Sequence, residues 1–236
     1  GFDNVFGVLS EKEIVDNTVF SVVTVMDPVA AYGALKILGE EGSEAEFVVA
    51  SENTREVAEE NGLDIIPLSK GLELDITIDG TDEVDSDYNM IKGGGGAHTR
   101  EKIVADAAEE VNIVVDRTKL VKGLGEKNPL PAAVIPFATD FLENKLKKDW
   151  ENAELRGTGD KKPFITDNGN NIIDIEMVEI EEPESLEKEL NKVPGIVENG
   201  IFTDLADKVF IGYEDGVETI ETGEEFLKAH EKLSGY

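Results

Sequence analysis

Hydrophobic and polar positions change period several times along this chain, and each change marks an element. Thr18 to Val25 (TVFSVVTV) is β-branched and almost continuously apolar, as a strand covered on both faces should be, and Met26-Asp27-Pro28 ends it. From Pro28 to Gly39 a helix is predicted, with Ala31, Ala34, Leu35 and Leu38 on one side and Pro28 in the first turn. Phe47 to Ala50 reads as a second strand, Asn53 to Asn61 as a helix closed by Gly62, and Ile65-Ile66 as a short third strand. Leu74, Ile76 and Ile78 then alternate with Asp75, Thr77 and Asp79, so a strand with one strongly apolar face ends in a carboxylate. With Thr99 as N-cap, Ile103, Val104, Ala107, Ala108 and Val111 recur at helical spacing, and Val111 to Val115 forms a strand ending at Asp116. Strand alternates with helix throughout, which predicts an α/β fold: a Rossmann-like parallel sheet with helices on both faces. Ligands of such sheets gather at the C-terminal ends of the strands, where Asp79 and Asp116 stand. Gly1 to Asn17 carry too weak a pattern to assign.

From about Leu130 the alternation gives way to a different pattern. Ala132 to Ile135 reads as a strand, Phe137 to Trp150 as an amphipathic helix through Phe141, Leu142 and Leu146, and Ile172 to Met177 as another strand. Asn168-Gly169 signals a hairpin turn, Ser185 to Val193 a second helix, and Ile196 to Phe202 a returning strand. These elements predict a smaller inserted α+β, ferredoxin-like layer over residues 130–203, with 1–129 and 204–236 forming the Rossmann-like domain. Lys208 to Gly212 and Val217 to Ile220 are predicted strands of that first domain. Glu221 to Tyr236, charged and poor in apolar residues, is expected to be an exposed helix or tail.

The chemistry concentrates between Leu74 and Lys102 (LDITIDGTDEVDSDYNMIKGGGGAHTREK). Gly80 breaks the strand after Asp79, and Asp82, Glu83 and Asp85 crowd into the next turn, where closely spaced acids perturb one another's ionisation. Lys92 precedes Gly93, Gly94, Gly95 and Gly96, a run whose bare backbone N–H groups can approach an anion. Glu101 then falls in the first turn of the helix. Each feature alone has a plain structural explanation, an acidic surface turn or a flexible linker. Their combination with Arg100-Glu101-Lys102 at a helix start is poorly explained as linker. An EF-hand loop is excluded because Met90 stands where its glycine belongs and Gly96 where its bidentate Glu belongs. A Walker A loop is excluded because no Lys-Ser or Lys-Thr follows the glycines.

Composition narrows the function classes. With 236 residues, 40% of them hydrophobic, the chain can bury a substantial core. A formal charge of -30, from 52 acids against 22 bases, argues against nucleic acid, whose phosphates it would repel. Such a surface stays soluble where salt screens the repulsion, which points to a salt-loving host. The absence of cysteine fits a cytoplasmic location, and with only His98 and His230 a His/Cys metal site is not expected. No apolar run is long enough to span a bilayer, and no signal-peptide pattern opens the sequence.

Asp79-Gly80-Thr81-Asp82-Glu83 followed by Lys92-Gly-Gly-Gly-Gly-Ala-His-Thr-Arg-Glu-Lys102 resembles the paired signature loops of the ribose-5-phosphate isomerase A family. Asp116-Arg-Thr-Lys119-Leu120, Pro129-Leu-Pro131, Thr166-Asp-Asn-Gly-Asn170 and Pro194-Gly-Ile-Val197 agree in order and spacing, so the resemblance runs from about Asp79 to Val217. It implies interconversion of D-ribose 5-phosphate and D-ribulose 5-phosphate through an enediol, a step of the non-oxidative pentose phosphate pathway, with neither metal nor cofactor. By the same resemblance Glu101 is the general base, Asp79 and Asp82 assist ring opening and proton exchange, and Lys92 with Gly93 to Gly96 meets the oxyanion. Gly80, Thr81 and Lys119 would contact substrate, the small domain would act as a lid, and the chain would form a homo-dimer or homo-tetramer.

The departure lies upstream. Over the family's phosphate loop, of glycine-threonine-glycine-serine-threonine type, this chain carries Ser21-Val22-Val23-Thr24-Val25-Met26-Asp27, and only Thr24 survives as a substrate-binding candidate. Asp27 even places a negative charge there, and the family's basic residue in the N-terminal helix is missing. Altered phosphate binding, loss of catalysis, or error in the first 30 or so residues of the sequence would each account for this. The competing reading is therefore a non-catalytic sugar-phosphate-binding homologue on the same fold; a relative acting on another substrate, such as an amino-sugar phosphate deaminase or an acyl-CoA transferase, is a third, and the match over Lys92 to Lys102 disfavours the transferase.

Overall fold

In chain order the strands are β1 (Val19–Val22), β2 (Glu46–Val48), β3 (Asp64–Ile65), β4 (Leu74–Asp79), β5 (Glu83–Val84), β6 (Met90–Ile91), β7 (Ala108–Asp116), β8 (Leu130–Val134), β9 (Ala153–Leu155), β10 (Asn171–Ile175), β11 (Ile196–Asn199), β12 (Ile201–Phe202), β13 (Lys208–Tyr213) and β14 (Gly216–Ile220). The helices are α1 (Glu52–Glu60), α2 (His98–Ala107), α3 (Thr139–Leu146), α4 (Pro183–Asn191) and α5 (Gly223–Glu231). This computed structural model describes residues 19–22, 35–36, 38–40, 42, 45–69, 72, 74–160, 162–213, 216–220 and 223–231. Thr24, Asp27 and most of the helix predicted from Pro28 to Gly39 lie outside the described residues.

Among the described residues seven strands form the main sheet in the order β14-β13-β7-β4-β1-β2-β3, parallel except for the antiparallel β13–β14 pair at one edge. The order reverses between β1 and β4, the kind of switch point outside which ligands settle in open α/β sheets. β4 lies in the middle, paired with β1 on one side and β7 on the other. Both of its faces are covered: Thr77, on the polar side of the alternation, is fully buried, and in β4 only Asp75 is exposed. Period-two alternation along β7 sends Val114 to a cluster with Leu35, Phe47, Ile76 and Ile78, and Val111, Ile113 and Val115 to the opposite face with Phe226 and Ile220. Each such buried side chain contributes about 1.5–3 kcal/mol.

The second sheet runs β11-β8-β10-β9, every neighbouring pair antiparallel, and α3 and α4 return the chain between its strands. A β-α-β-β-α-β order with this arrangement is ferredoxin-like. Its core gathers Leu130, Ala132, Val134, Leu142, Leu146, Ile173, Ile175 and Leu190. A third, three-stranded antiparallel sheet has the order β12-β6-β5; β5 and β6 follow β4 of the main sheet in the chain and β12 follows β11 of the second.

Four local expectations are corrected. The strand predicted from Ile196 to Phe202 breaks at Gly200 into β11 and β12, which belong to different sheets. The Gly200 N–H donates to Pro131 O at 2.8 Å while its carbonyl accepts from the Lys92 N–H at 2.9 Å, and a Cβ there would lie 2.3 Å from Lys92 O. Only a glycine lets three backbones meet so closely. The α-helix starts only at Thr139, after a 3-10 turn over Pro136–Ala138 that leaves Phe137 exposed, and α3 buries Thr139, Leu142 and Leu146 while Phe141 is exposed. The N-cap of α2 is Ala97 rather than Thr99; the helix begins one residue before Thr99, and Ile103 points outward. Finally, the closing segment is not wholly exposed: α5 buries Phe226 and Ala229 against the main sheet.

Candidate active site

Strand β4 delivers Asp79 to its C-terminal end, and the next peptide turns so that the Gly80 N–H donates to Asp79 Oδ1 at 2.8 Å. β5 and β6 form a short hairpin that brings the chain back, so Lys92 stands beside Asp79 although twelve residues separate Gly80 from Lys92. The Lys92 ammonium lies 2.7 Å from Asp79 Oδ2, donates to Gly80 O at 2.5 Å and sits 3.2 Å from Glu101 Oε2. Glu101 comes from the first turn of α2, where its N–H joins that of Arg100 on Ala97 O. Asp82 approaches from the other side, accepting the Gly94 N–H on Oδ2 at 2.9 Å. Thr81 supports the hairpin: its hydroxyl donates to the carbonyls of Glu83 and Ile91.

All four ionisable side chains are at most 3% exposed, so water screens none of them. Burial pushes the Asp79 carboxyl up to about 8, with the neighbouring Glu101 charge adding to the rise and Lys92 opposing it. Burial raises Glu101 as well, again against the pull of Lys92. Burial would lower Lys92, but Asp79 and Glu101 together hold it above its ordinary value. One ammonium is thus shared by two carboxyls, and burial, which raises both, favours a shared proton on the pair while Lys92 stays charged. Among the described residues the Glu101 Oε2 atom has no aligned hydrogen-bond donor; its contact with Lys92 is an ion pair.

The glycine run forms the rim. Gly93 and Gly96 have φ of +105° and +86°, and a Cβ on either would strike His98 or Phe164 at 2.5 Å, so neither position admits another residue without strain. Gly94 and Gly95 are exposed. His98, beneath Gly93, is fully buried, and burial pulls it down to about 4, so it is a neutral packing residue. Lys119 lies in a 3-10 turn directly after β7, whose Asp116 caps that turn through the Thr118 N–H at 2.6 Å. It stands half-buried beyond the C-terminal end of the strand next to β4.

Several neighbours were not legible as site residues. Glu83, read above as one of the crowding acids, accepts the N–H groups of Gly125, Lys127 and Asn128 at 2.5–2.7 Å and anchors that loop. Asp85 caps its own hairpin through Asp87 and Asn89. The residues on either side of Glu101 tie α2 to the ferredoxin-like layer: Arg100 reaches Asn168 Oδ1 at 2.9 Å, and Lys102 binds Glu187, Glu198 and Ile201 O at 2.6–2.8 Å. From the end of β9, Arg156 donates to the carbonyls of Gly93 and Gly94. The available signal was the scarcity of arginine, four against eighteen lysines, since multidentate sites favour arginine.

Residues 46–216 match the family model of ribose 5-phosphate isomerase A (phosphoriboisomerase A). The chain belongs to that family. Ribose-5-phosphate isomerase A of Methanococcus aeolicus is 46% identical over 189 residues, covering 79% of this chain and 80% of the relative. That of Thermococcus kodakarensis is 44% identical over 175 residues, covering 74% and 76%. Among solved structures, ribose 5-phosphate isomerase A from Methanocaldococcus jannaschii superposes with a TM-score of 0.83 at 36% identity, covering 94% of this chain and 98% of that one. A D-ribose-5-phosphate isomerase in complex with phospho-erythronic acid gives 0.84 at 36% identity, covering 93% and 97%. These ribose-5-phosphate isomerase A structures share the mixed α/β fold described above.

Proposed function

We propose that this chain interconverts D-ribose 5-phosphate and D-ribulose 5-phosphate by moving one proton between C2 and C1. The observation that carries the reading is the buried trio Asp79, Lys92 and Glu101, with a Glu101 oxygen that has no hydrogen bond among the described residues. The Glu101 carboxylate takes the proton from C2 of the open-chain aldose, and the C–H electron pair forms the C1–C2 double bond as the C1 carbonyl becomes an enediolate oxyanion. Lys92 and the N–H groups of the glycine rim offset that charge in a water-poor site, where such donors act most strongly. Asp79, whose carboxyl burial pushes up to about 8, relays a proton between the two hydroxyl oxygens, a role its raised pKa suits. Glu101 returns its proton to C1 as the C2 carbonyl forms, so the residues end as they began. Asp82, by holding the Gly94 N–H, and Lys119, at the neighbouring strand end, are proposed to orient the substrate.

The test is Glu101→Gln in the full chain, assayed for ribulose 5-phosphate formation across a potassium chloride series and titrated with phospho-erythronic acid. Loss of turnover by at least about 10³-fold with the acid still bound supports the reading. Turnover surviving in the variant overturns Glu101 as the base, and no turnover in the folded unsubstituted chain at any salt overturns the isomerase. A requirement for high salt would in addition support the salt-loving character proposed from the charge of -30.

A further inference from the structure

The peptide between Gly93 and Gly94 is held at both ends: its carbonyl accepts from Arg156 Nη1 at 2.8 Å, and its N–H donates to Asp82 Oδ2 at 2.9 Å. The next peptide is held at one end only. Its carbonyl, on Gly94, also accepts from Arg156 Nη1, at 2.9 Å. In a trans peptide the N–H points opposite to the C=O, so the Gly95 N–H is aimed away from the guanidinium, on an exposed stretch of the rim. Arg156 itself is immobilised. Its Nε and Nη2 form a fork with the two oxygens of Asp174 at 2.8 and 2.5 Å, and its guanidinium lies 5.7 Å from the Phe164 ring centre. The fork follows from strand register. Ile173 pairs with Leu155 and the Arg156 N–H donates to Ile172 O, so Asp174, two residues beyond Ile172, lies diagonal to Arg156 on the same face.

Resting on the isomerase reading, we propose that Arg156, locked by Asp174, is a positioning residue for the reaction: it orients the Gly93–Gly95 peptides so that the Gly95 N–H meets the enediolate oxygen. Arg156 touches no reacting atom. It acts through two carbonyls of a glycine run that is also tied by the Gly94 N–H to Asp82 and by the Gly96 N–H to Gly93 O at 3.0 Å, and it extends the ferredoxin-like layer's control to the chemistry in the other sheet. A lysine cannot substitute, because one ammonium on a flexible stem cannot hold two carbonyls and a carboxylate in one plane.

The experiment compares the unsubstituted chain with Arg156→Lys, Arg156→Gln and Asp174→Asn by steady-state kinetics, affinity for phospho-erythronic acid, amide hydrogen exchange at Gly94 and thermal unfolding. Arg156→Gln should lower kcat by about 10²-fold, the loss seen when one oxyanion donor is removed, with KM changed less than about threefold. Arg156→Lys should recover the melting temperature without recovering kcat, and Asp174→Asn should lower kcat less than Arg156→Gln does. Gly94 exchange should quicken in both Arg156 variants. Unchanged kcat in folded Arg156→Gln overturns the proposal, as does full recovery of kcat by lysine, which would leave only packing and charge. If the unsubstituted chain fails to turn over, the isomerase reading falls by itself. Arg156 is then judged by Gly94 exchange and acid affinity, and no change in either overturns its role.

Discussion

Lys92→Met removes the ammonium between Asp79 and Glu101 while keeping a side chain of similar length in a position only 1% exposed. Three oxygens lose the ammonium they face: Asp79 Oδ2 at 2.7 Å, Gly80 O at 2.5 Å and Glu101 Oε2 at 3.2 Å. Breaking a buried ion pair from one side costs about 3–5 kcal/mol, because the remaining charge has neither water nor partner. The carboxyls can escape that cost only by taking up a proton. With Asp79 already raised to about 8, the extra proton goes to Glu101, and keeping an ordinary carboxyl protonated costs about 1.4 kcal/mol per pH unit above its unfolded pKa of about 4. At pH 7 that is about 4 kcal/mol, and at pH 5 about 1.4 kcal/mol. The sign follows from proton counts: a folded pKa above the unfolded one means the folded state binds more protons, so stability is complete below about pH 4 and is lost as pH rises toward the folded pKa. The variant should therefore be destabilised by about 4 kcal/mol at pH 7 and under about 2 kcal/mol at pH 5. Urea unfolding at fixed salt, followed by circular dichroism at pH 5, 6, 7 and 8 for both proteins, measures the difference. A penalty below about 1 kcal/mol at pH 7, or one that does not vary from pH 5 to 8, would refute the shared-proton account.

Two further outcomes are expected from packing. Gly96→Ala forces a side chain into φ +86° with its Cβ 2.5 Å from the Phe164 ring, and should cost about 2–4 kcal/mol and most of the activity, checked by thermal unfolding and turnover. Phe226→Ala should cost about 3–5 kcal/mol, whereas Leu227→Ala, at a side chain 50% exposed, should cost under about 1 kcal/mol; equal effects would contradict the docking of α5.

Local spacing carried the sequence reading as far as it went. The apolar alternation from Leu74 to Asp79 has the strand period whatever surrounds it, and the glycine run announces unusual backbone geometry by composition alone. Asp79, Asp82, Lys92 and Glu101 all lie within one continuous stretch, where a hairpin and a helix start bring them together over short sequence separations. The reading failed where distance along the chain is large. Arg156 is 63 residues from Gly93, and its pairing with Asp174 depends on the register of two strands that no periodicity encodes.

Burial was the other quantity hidden from the sequence. Phe137, Phe141 and Ile103 look apolar enough for a core yet face outward, because the first turn of each helix and the sheet beneath it set which stripe is covered. Phe226, in a stretch too charged to suggest a core, is almost completely enclosed. By itself the sequence determined the order of elements, the fold class and the stretch where the acids, the lysine and the glycines meet, since these follow from backbone periodicity and residue chemistry. Tertiary structure decided which acids lose their water, which one anchors a loop, and which distant arginine holds the glycine rim. Those are consequences of desolvation and of contacts between segments far apart in the chain, and both exist only once the sheets have packed.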